Sequence, residues 1–216
     1  MISTILAVLL APTTVTLFPS DDIWVYPHAG DPQKDVYLRI WGSEGRSVAP
    51  VGGSAEDFGY SYLAFPISGL AKGMTLTAVR LELTQISDPT FSTDYAKQNP
   101  LEARVLPSGF SEKTWAYADV DKFTPTGGKD GVYGTGFFNS VTAGKDVAIL
   151  IDLTAGPAKF GKALTDALAK GESTVSIALT SAIDPQGGEK GNFYKVYSKE
   201  ETLESRRPRL VLTFSN

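Results

Sequence analysis

The sequence predicts an all-β protein, a β-sandwich of jelly-roll type with one short amphipathic helix at about residues 157–170. Apolar and polar residues alternate with a period of two in nine short segments. Clusters of Gly, Pro and Asp separate these segments, and the 216 residues include 21 Gly and 13 Pro, so the chain turns often. No helical pattern follows each strand, which disfavours a parallel α/β sheet.

The nine predicted strands are rich in Val, Ile, Leu, Thr and Tyr. They lie at residues 23–26, 35–41, 60–67, 76–86, 102–106, 146–153, 173–182, 193–198 and 209–214. Two further stretches, 87–100 and 121–145, are rich in turn residues and are predicted to be long loops. Loops of this length within a compact domain are usually functional or mobile.

The first residues allow two interpretations. The run from Ile5 to Ala11 is apolar but too short to span a membrane. It resembles the core and cleavage end of a secretory signal, although no Lys or Arg precedes it. We favour a signal segment at residues 1–11 and a single domain at 12–216 that starts with a strand, because TTVTLF from Thr13 alternates. The alternative is that the whole segment is an N-terminal strand.

The predicted helix lies within TAGPAKFGKALTDALAKGE, residues 154–172. Thr154 suits the N-cap, Pro157 suits an early helical position, and Gly171 suits the stop. The apolar residues that recur with the helical period are Phe160, Leu164, Ala167 and Leu168. We expect this helix to cover one end or face of the sandwich.

Composition excludes several functional classes. The net charge is −4, which argues against a general nucleic-acid binder. The chain has no Cys, so disulfides, zinc–thiolate sites, iron–sulfur clusters and cysteine nucleophiles are excluded. His28 is the single histidine, so a cluster of histidines around a metal is excluded too. Its context, YPHAGDP, predicts a surface turn.

The chain ends in SRRPRLVLTFSN, which predicts a half-buried strand with Leu210, Leu212 and Phe214 inside. Pro208 suits the start of that strand. Arginines at positions 206, 207 and 209 have three interpretations. They protect a sheet edge and pair with Glu200, Glu201 and Glu204, or they bind uronate or sulfate groups, since Arg grips carboxylates in a bidentate manner. The third interpretation, a contact with nucleic acid, is disfavoured by the acidic net charge.

A family resemblance rests on the order of several loose motifs. VYSKEETLESRRPRLVLTF at the end is similar to the closing pattern of DNRLRE-type domains, with Arg-Pro-x-Leu before a final strand. DVYLRI, YSYLAFPISGLAKGMTLTAVRLELTQ, FSEKTWAY and ILIDLTAGPAKF resemble earlier parts of the family pattern in the same order. The resemblance covers roughly residues 13–214, and the hexapeptide that names the family is absent from this chain.

The resemblance implies a secreted β-sandwich of jelly-roll type. Members of the family often accompany polysaccharide-degrading enzymes and act as non-catalytic carbohydrate-binding modules, some of them on acidic polysaccharides. Others belong to surface or matrix proteins. For this chain, the resemblance therefore implies a bacterial protein that is secreted or bound to the cell surface.

Strand alternation predicts where a glycan would bind. In DVYLRIW, the residues Val36, Leu38 and Ile40 share one face, and an outward stripe of two aromatic rings and one Arg shares the other. Sugar rings stack on aromatic rings, and Arg binds uronate carboxylates. DIWVY and FYKVY repeat the pattern. The candidate ligand-binding residues are Tyr37, Arg39, Trp41, Trp24, Tyr26 and Lys195.

The opposite arrangement stays open, because most Trp side chains are largely buried. The rings then pack under loops, or the aromatic face forms the core. Trp115 in EKTWAY is predicted to be a core residue or loop anchor, with Glu112 bonding backbone groups of the same turn.

Catalysis and metal binding have weaker signals. Glycosidases need two carboxylates, and chance pairs are expected among 24 acidic residues. The candidates are Asp21/Asp22, Asp119/Asp121, Asp152, Asp184 and Glu200/Glu201. A polysaccharide lyase would need a Tyr close to a His or Arg, and His28 with Tyr26 is a weak match to that requirement. We expect no enzyme activity and no required cofactor. A structural calcium is an open alternative, with ligands from GDPQKD or TGGKDG, and no metal residue is assigned.

The sequence thus favours a non-catalytic polysaccharide-binding module, for glycans that include acidic, uronate-containing ones. The alternative is a structural or adhesive extracellular subunit without a sugar site, which would assemble into oligomers by strand exchange. The expected partners are a polysaccharide, no nucleic acid and no membrane span.

Overall fold

The computed structural model describes residues 12–49, 57–70, 75–107, 109–186 and 191–215. Within these ranges, eleven strands form two antiparallel sheets that pack face to face. The predicted fold class, an all-β sandwich, is confirmed. The predicted signal segment at 1–11 lies outside the described residues.

The strands have clear bounds. They are Thr13–Leu17 (β1), Asp21–Val25 (β2), Tyr37–Ile40 (β3), Tyr60–Pro66 (β4), Thr75–Gln85 (β5), Leu101–Val105 (β6), Val132–Gly136 (β7), Val147–Asp152 (β8), Thr174–Thr180 (β9), Tyr194–Tyr197 (β10) and Arg209–Ser215 (β11). All nine strands predicted from periodicity are present, and the alternating segment after Thr13 forms β1.

Sheet A is built around the long strand β5. Residues 80–82 of β5 pair with β11 and β8 at once, so these two strands lie on opposite sides of it. On the β11 side, β1 pairs with the far edge of β11. At the other end of β5, Gln85 pairs with β10, and β10 pairs with β3. Among the described residues, β3 therefore forms an edge of sheet A.

Sheet B has the order β2-β4-β9-β6-β7. The chain passes repeatedly between the sheets: β3, β5, β8 and β10 belong to sheet A, whereas β4, β6, β7 and β9 belong to sheet B. Such crossing between two antiparallel sheets is typical of β-sandwiches, jelly rolls among them. It places β2 and β3, which lie in different sheets, at the same side of the sandwich.

The main core lies between the sheets. Both sheets contribute fully buried aliphatic and aromatic residues to it, including Leu63, Leu81, Ile149, Ile177 and Leu212. A smaller apolar cluster covers the outer face of sheet B, where Tyr60 and Tyr62 pack beneath Phe110 and Trp115. Trp115 is thus a half-buried loop anchor, as predicted.

The predicted loops contain one α-helix and one strand, and two 3-10 helices, Tyr117–Phe123 and Lys129–Gly131, lie at or within the second loop. Helix α1, Thr93–Gln98, lies in the first loop, where the Ser92 hydroxyl accepts a hydrogen bond from the Tyr95 N–H. Strand β7 lies in the second loop. Its sequence, VYGTG, has few apolar residues and two glycines, so it lacks the composition that marks a strand.

Helix α2, Phe160–Lys170, begins three residues later than predicted. Thr154 is not its N-cap, because the Thr154 hydroxyl accepts a hydrogen bond from the Val79 N–H of β5 instead. Pro157 lies before the helix, whose N-cap is Lys159, so its expected helical position is wrong as well. The apolar face and the stop are as predicted: Phe160, Leu164 and Ala167 are buried, Leu168 is half-buried, and Gly171 ends the helix with a φ of 73°. In the described ranges, no helix is both long and apolar enough to cross a membrane.

Glycines let the edges of the two sheets meet on the β7/β8 side. A Cβ atom at Gly134 would lie 2.1 Å from the Asp152 carbonyl oxygen, and one at Gly136 would lie 2.6 Å from the Leu150 carbonyl oxygen. Backbone atoms cannot move aside as a flexible side chain can. The missing side chains therefore allow β7 to lie against β8 and close this side of the sandwich.

We expect Gly134→Ala to lower the free energy of unfolding by about 2 kcal/mol, because the added methyl forces β7 and β8 apart. Chemical denaturation of the two proteins measures this loss. Gly69→Ala is the matched control, because a Cβ atom at Gly69 meets nothing within 4 Å. Equal losses in the two variants would show that close approach is not the cause.

Candidate functional site

Strand β3 presents its aliphatic residues to the core. Leu38 is 1% exposed and Ile40 is fully buried, whereas Tyr37 and Arg39 are half-buried on the outer face. The predicted orientation of these four residues is confirmed. Val36 does not share the aliphatic face, because it lies before the strand and is exposed.

Strand β10 extends this outer face. Its register places Lys195 directly opposite Arg39 and Tyr197 opposite Tyr37. Tyr194 and Val196 are buried in the core, so Lys195 points the other way. The Nζ atom of Lys195 lies 3.9 Å from the centre of the Tyr37 ring, a cation–π contact.

Strand β2 departs from the prediction for Trp24. Trp24 is 8% exposed and belongs to the main core, while Ile23 and Val25 pack in the outer cluster of sheet B. Both faces of β2 are therefore covered, and the expectation that Trp24 faces outward is wrong. Tyr26, just after the strand, is half-buried.

The fold nevertheless brings the six predicted residues into one connected group. The Arg39 guanidinium lies 4.5 Å from the centre of the Trp24 ring and 5.7 Å from that of Tyr37. Trp24 stacks on Tyr26 at 6.1 Å, and Tyr26 meets Trp41 edge-on at 5.2 Å. Together with Phe193, 6.3 Å from Trp41, these residues form what we call the aromatic–cationic patch.

Trp41 joins the two sheets at this patch. Its backbone N–H donates to the Gly59 carbonyl at 3.1 Å and its carbonyl accepts from the Gly59 N–H at 3.3 Å, which links the end of β3 to sheet B. A Cβ atom at Gly59 would lie 2.2 Å from the indole. The Trp41 ring can therefore lie against the backbone at residue 59 only because Gly59 has no side chain.

Asp35 orients the buried side of the patch, a role that periodicity did not reveal. Its Oδ2 atom accepts hydrogen bonds from Trp24 Nε1 at 2.7 Å and from Arg39 Nη1 at 2.9 Å. The Arg39 guanidinium is thus held by an ion pair as well as by the indole face. Strand alternation could not predict this contact between Asp35 and Arg39, because Asp35 lies before β3 begins.

Lys195 has no ion pair with a carboxylate among the residues that the structure describes, and the Asp35 charge acts on it only from a greater distance. Partial burial and the nearby positive charge of Arg39 lower the pKa of Lys195. Like charges placed directly opposite each other on a sheet destabilise it. An anion bound between Lys195 and Arg39 would remove this repulsion.

A cluster of carboxylates lies elsewhere, where β2 meets the end of β10. Asp22, Glu112 and Glu200 each bring one oxygen within 4.8 Å of the others. Lys199 Nζ lies among them, 2.8 Å from Glu112 Oε1 and in contact with Glu200. Asp22 Oδ2 accepts from the Lys199 backbone N–H at 2.7 Å. Glu112 bonds the Asp22 N–H rather than its own turn, which corrects the expectation.

The Lys199 ammonium already supplies a cation to this cluster. Although partial burial acts against it, hydrogen bonds to Glu112 and Glu200 hold the pKa of Lys199 above its usual range. Burial raises the pKa of Asp22 well above its usual value. A Ca²⁺ ion prefers six to eight oxygen ligands, and here it would first have to displace Lys199. These residues therefore do not fit a calcium site as they stand.

In the two loops that were candidates to supply calcium ligands, several oxygen atoms already bind other side chains. In residues 30–35, Asp31 pairs with Lys34 at 2.8 Å, and Asp35 serves the patch. In residues 126–131, the carbonyls of Thr126 and Gly128 accept hydrogen bonds from Arg104. His28 lies exposed in its turn, as predicted, with its ring against Tyr26.

The arginines near the C-terminus pair with residues other than those expected. Strand β11 lies between β1 and β5, so it is not an edge that needs protection. Arg206 pairs with Asp146 at 2.9 Å, Arg209 with Glu82 at 2.7 Å, and Arg207 donates to the Glu201 carbonyl. The expected partners Glu200 and Glu204 take no part in these ion pairs. Arg209 therefore links β11 to β5, whereas Arg206 and Arg207 fix the segment that leads into β11.

No known protein-family model matches the chain, and no curated protein matches its sequence.

Proposed function

We propose that this chain is a non-catalytic polysaccharide-binding domain, similar to the DNRLRE type, that binds uronate-containing glycans on the aromatic–cationic patch. The observation that supports it best is the pairing of Lys195 with Arg39 across two strands, with Trp41 and Phe193 beside them. Two adjacent cations suit a carboxylate, and half-exposed rings suit the apolar faces of sugars.

A groove next to the patch gives the glycan room to continue. A cleft of about 210 Å³ is lined by Phe193 and Lys195 on one side and by residues 85–90 on the other. Lys195 belongs to both the patch and this cleft. A sugar whose carboxylate meets Lys195 would therefore stack on the rings on one side and extend into the cleft on the other.

We propose a binding role rather than a catalytic one because the carboxylates near the patch and at Asp22 are already engaged by other side chains. A glycosidase uses one carboxylate as an acid and another as a base or nucleophile. At the patch, Asp35 is held by Trp24 and Arg39, and the cluster around Asp22 is held by Lys199. Secretion or display on a bacterial surface is part of the same proposal, because extracellular polysaccharides are found there.

Binding of the full chain to a uronate polymer tests the proposal. We expect Lys195→Ala and Trp41→Ala each to weaken binding about tenfold, since one loses the charge and the other the stacking surface. Calorimetry measures the affinity, which should also fall as salt is added. Lys162→Ala is the control, because Lys162 is an exposed lysine on helix α2.

Unchanged affinity in both patch variants would place the glycan elsewhere, and the absence of binding to any acidic or neutral polysaccharide would refute the proposed function. Arg39→Ala tests the second cation of the patch. If Arg39 and Lys195 bind the same carboxylate, Arg39→Ala should weaken binding of the uronate polymer about as much as Lys195→Ala does.

A structural or adhesive subunit is the second candidate, and one observation favours it. Strand β1 is short, pairs with β11 alone among the described strands, and contributes to the core through Val15 and Leu17. Exchange of such a terminal strand between two copies would link them. Size-exclusion chromatography at increasing concentration tests this candidate, because exchange gives oligomers that grow with concentration, whereas a glycan module stays monomeric.

A further inference from the structure

A second, larger cleft lies on the outer face of sheet B. In β6, Leu101 and Ala103 face the main core, so Glu102 and Arg104 point to the other side. Above them lies a cleft of about 650 Å³ between residues 45–49 and residues 127–129. Ligand sites in proteins have volumes of roughly 300 to 1,000 Å³, so this cleft has the size of a sugar site.

Arg104 holds both walls of the cleft in place. Its side chain is 6% exposed and pairs with Glu102 at 2.6 Å. It also donates to the carbonyls of Thr126 and Gly128 at 2.9 and 2.8 Å, and to the Ser47 hydroxyl at 3.1 Å. These bonds join two loops to the sheet, so the cleft is formed before a ligand arrives.

The cleft is cationic although the protein is acidic. The charged residues that line it are three cations, Arg46, Arg104 and Lys129, and one carboxylate, Glu102. Arg104 and Glu102 neutralise each other at the base. Arg46 forms an ion pair with Glu44 at 3.0 Å, and because both side chains are exposed this pair is weak and leaves Arg46 accessible to another anion. Lys129 is exposed, and no ion pair is found for it among the described residues. Each wall of the cleft therefore carries one cation that a ligand can reach.

The cleft is close to the aromatic–cationic patch. Residues 42–49 connect them: the segment starts just after Trp41, and Gly45 already lines the cleft. Four residues span at most about 14 Å. The Cα atoms of Trp41 and Gly45 are therefore no farther apart than this, so a glycan of several sugar units that contacts Trp41 is long enough to reach the rim of the cleft.

We propose that this cleft is a second binding site for an anionic sugar unit, in which Arg46 and Lys129 hold a uronate carboxylate of the same chain that occupies the patch. The proposal rests on the proposed function in one respect, the glycan class. Two linked sites raise the effective concentration of the second contact, so affinity should increase with glycan length.

Nuclear magnetic resonance of the ¹⁵N-labelled full chain separates the two sites. The probes are a uronate disaccharide and a long uronate oligomer. With the oligomer, we expect the backbone amide signals of Gly45, Gly127 and Gly128 in the cleft to shift together with those of Phe193 and Lys195 in the patch. The variant Arg46→Ala/Lys129→Ala should lose the cleft shifts and bind the oligomer about tenfold more weakly, with the patch shifts preserved.

Each result decides between the sites. Patch shifts without cleft shifts, or wild-type affinity of the double variant for the oligomer, would overturn the cleft site and leave the proposed function intact. Cleft shifts without patch shifts would support the cleft and refute the patch. No shift with either ligand would overturn both. Lys162→Ala controls for the general loss of positive charge, and Arg46 and Lys129 are exposed, so their removal leaves the fold intact.

Discussion

Replacement of Arg104 by methionine is expected to lower the free energy of unfolding by about 4 kcal/mol. Methionine fills a similar volume but removes every donor of the guanidinium. The loss leaves Glu102 without its ion pair and the carbonyls of Thr126 and Gly128 without donors. Breaking one side of a largely buried pair costs more than the pair contributes, because the remaining charge, on a Glu102 side chain that is 22% exposed, stays mostly out of water.

Denaturation in guanidinium chloride measures this loss, and hydrogen exchange locates it. We expect the amides of Gly127 and Gly128 to exchange faster than in the wild type, since Arg104 anchors that loop. Arg80→Met is the matched control, because Arg80 pairs with Glu82 through a side chain that is 52% exposed. Exposed pairs contribute about 0 to 1 kcal/mol. A loss in Arg104→Met no greater than in the control would contradict the structural role.

Replacement of Lys199 by methionine is expected to lower the free energy of unfolding by about 3 kcal/mol near neutral pH. Lys199 is the cation among Asp22, Glu112 and Glu200, and these residues tie β2 to the loop at residue 112 and to the end of β10. Without the ammonium, three carboxylates face one another in a largely buried position. Equilibrium denaturation of both proteins gives the difference.

The free energy of unfolding lost in Lys199→Met should depend on pH, and the pKa shifts of Lys199 and Asp22 give the direction of that dependence. The pKa of Lys199 is raised in the folded protein, so its stabilising contribution is complete below the unfolded value and is lost only in strong alkali. The pKa of Asp22 is raised mainly by burial, so its ionisation weakens the fold as pH rises. Lys199→Met should therefore cost less near pH 4 than near pH 8.

A second substitution tests the assignment of charge. Asp22→Asn in the Lys199→Met background removes one of the uncompensated charges and should restore part of the stability at pH 8. Lys162→Met controls for the loss of a lysine at the surface, with an expected change within about 0.5 kcal/mol. A pH-independent loss in Lys199→Met would mean that packing of its methylene groups, rather than its charge, stabilises the cluster.

Elements whose side chains carry a strong pattern were predicted well, and the missed elements lack one. The nine strands alternate clearly, and α2 shows the helical period. Strand β7 has two glycines in five residues, and its stability comes from pairing with β6 and from close contact with β8. Helix α1 has six residues and one buried side chain, Ala96, which is too little for a recognisable period.

The sequence by itself determined the described strands other than β7 and, for β3 and β10, which residues share a face, because alternation along a strand is a local property of the backbone. Tertiary structure decided which of the two faces is buried and which strands become neighbours. It buried Trp24 on β2, placed Lys195 opposite Arg39, and enclosed the cleft over Arg104 between loops far apart in sequence. These outcomes depend on pairing between distant segments and on close approach at Gly59, and neither is encoded in the period of any single strand.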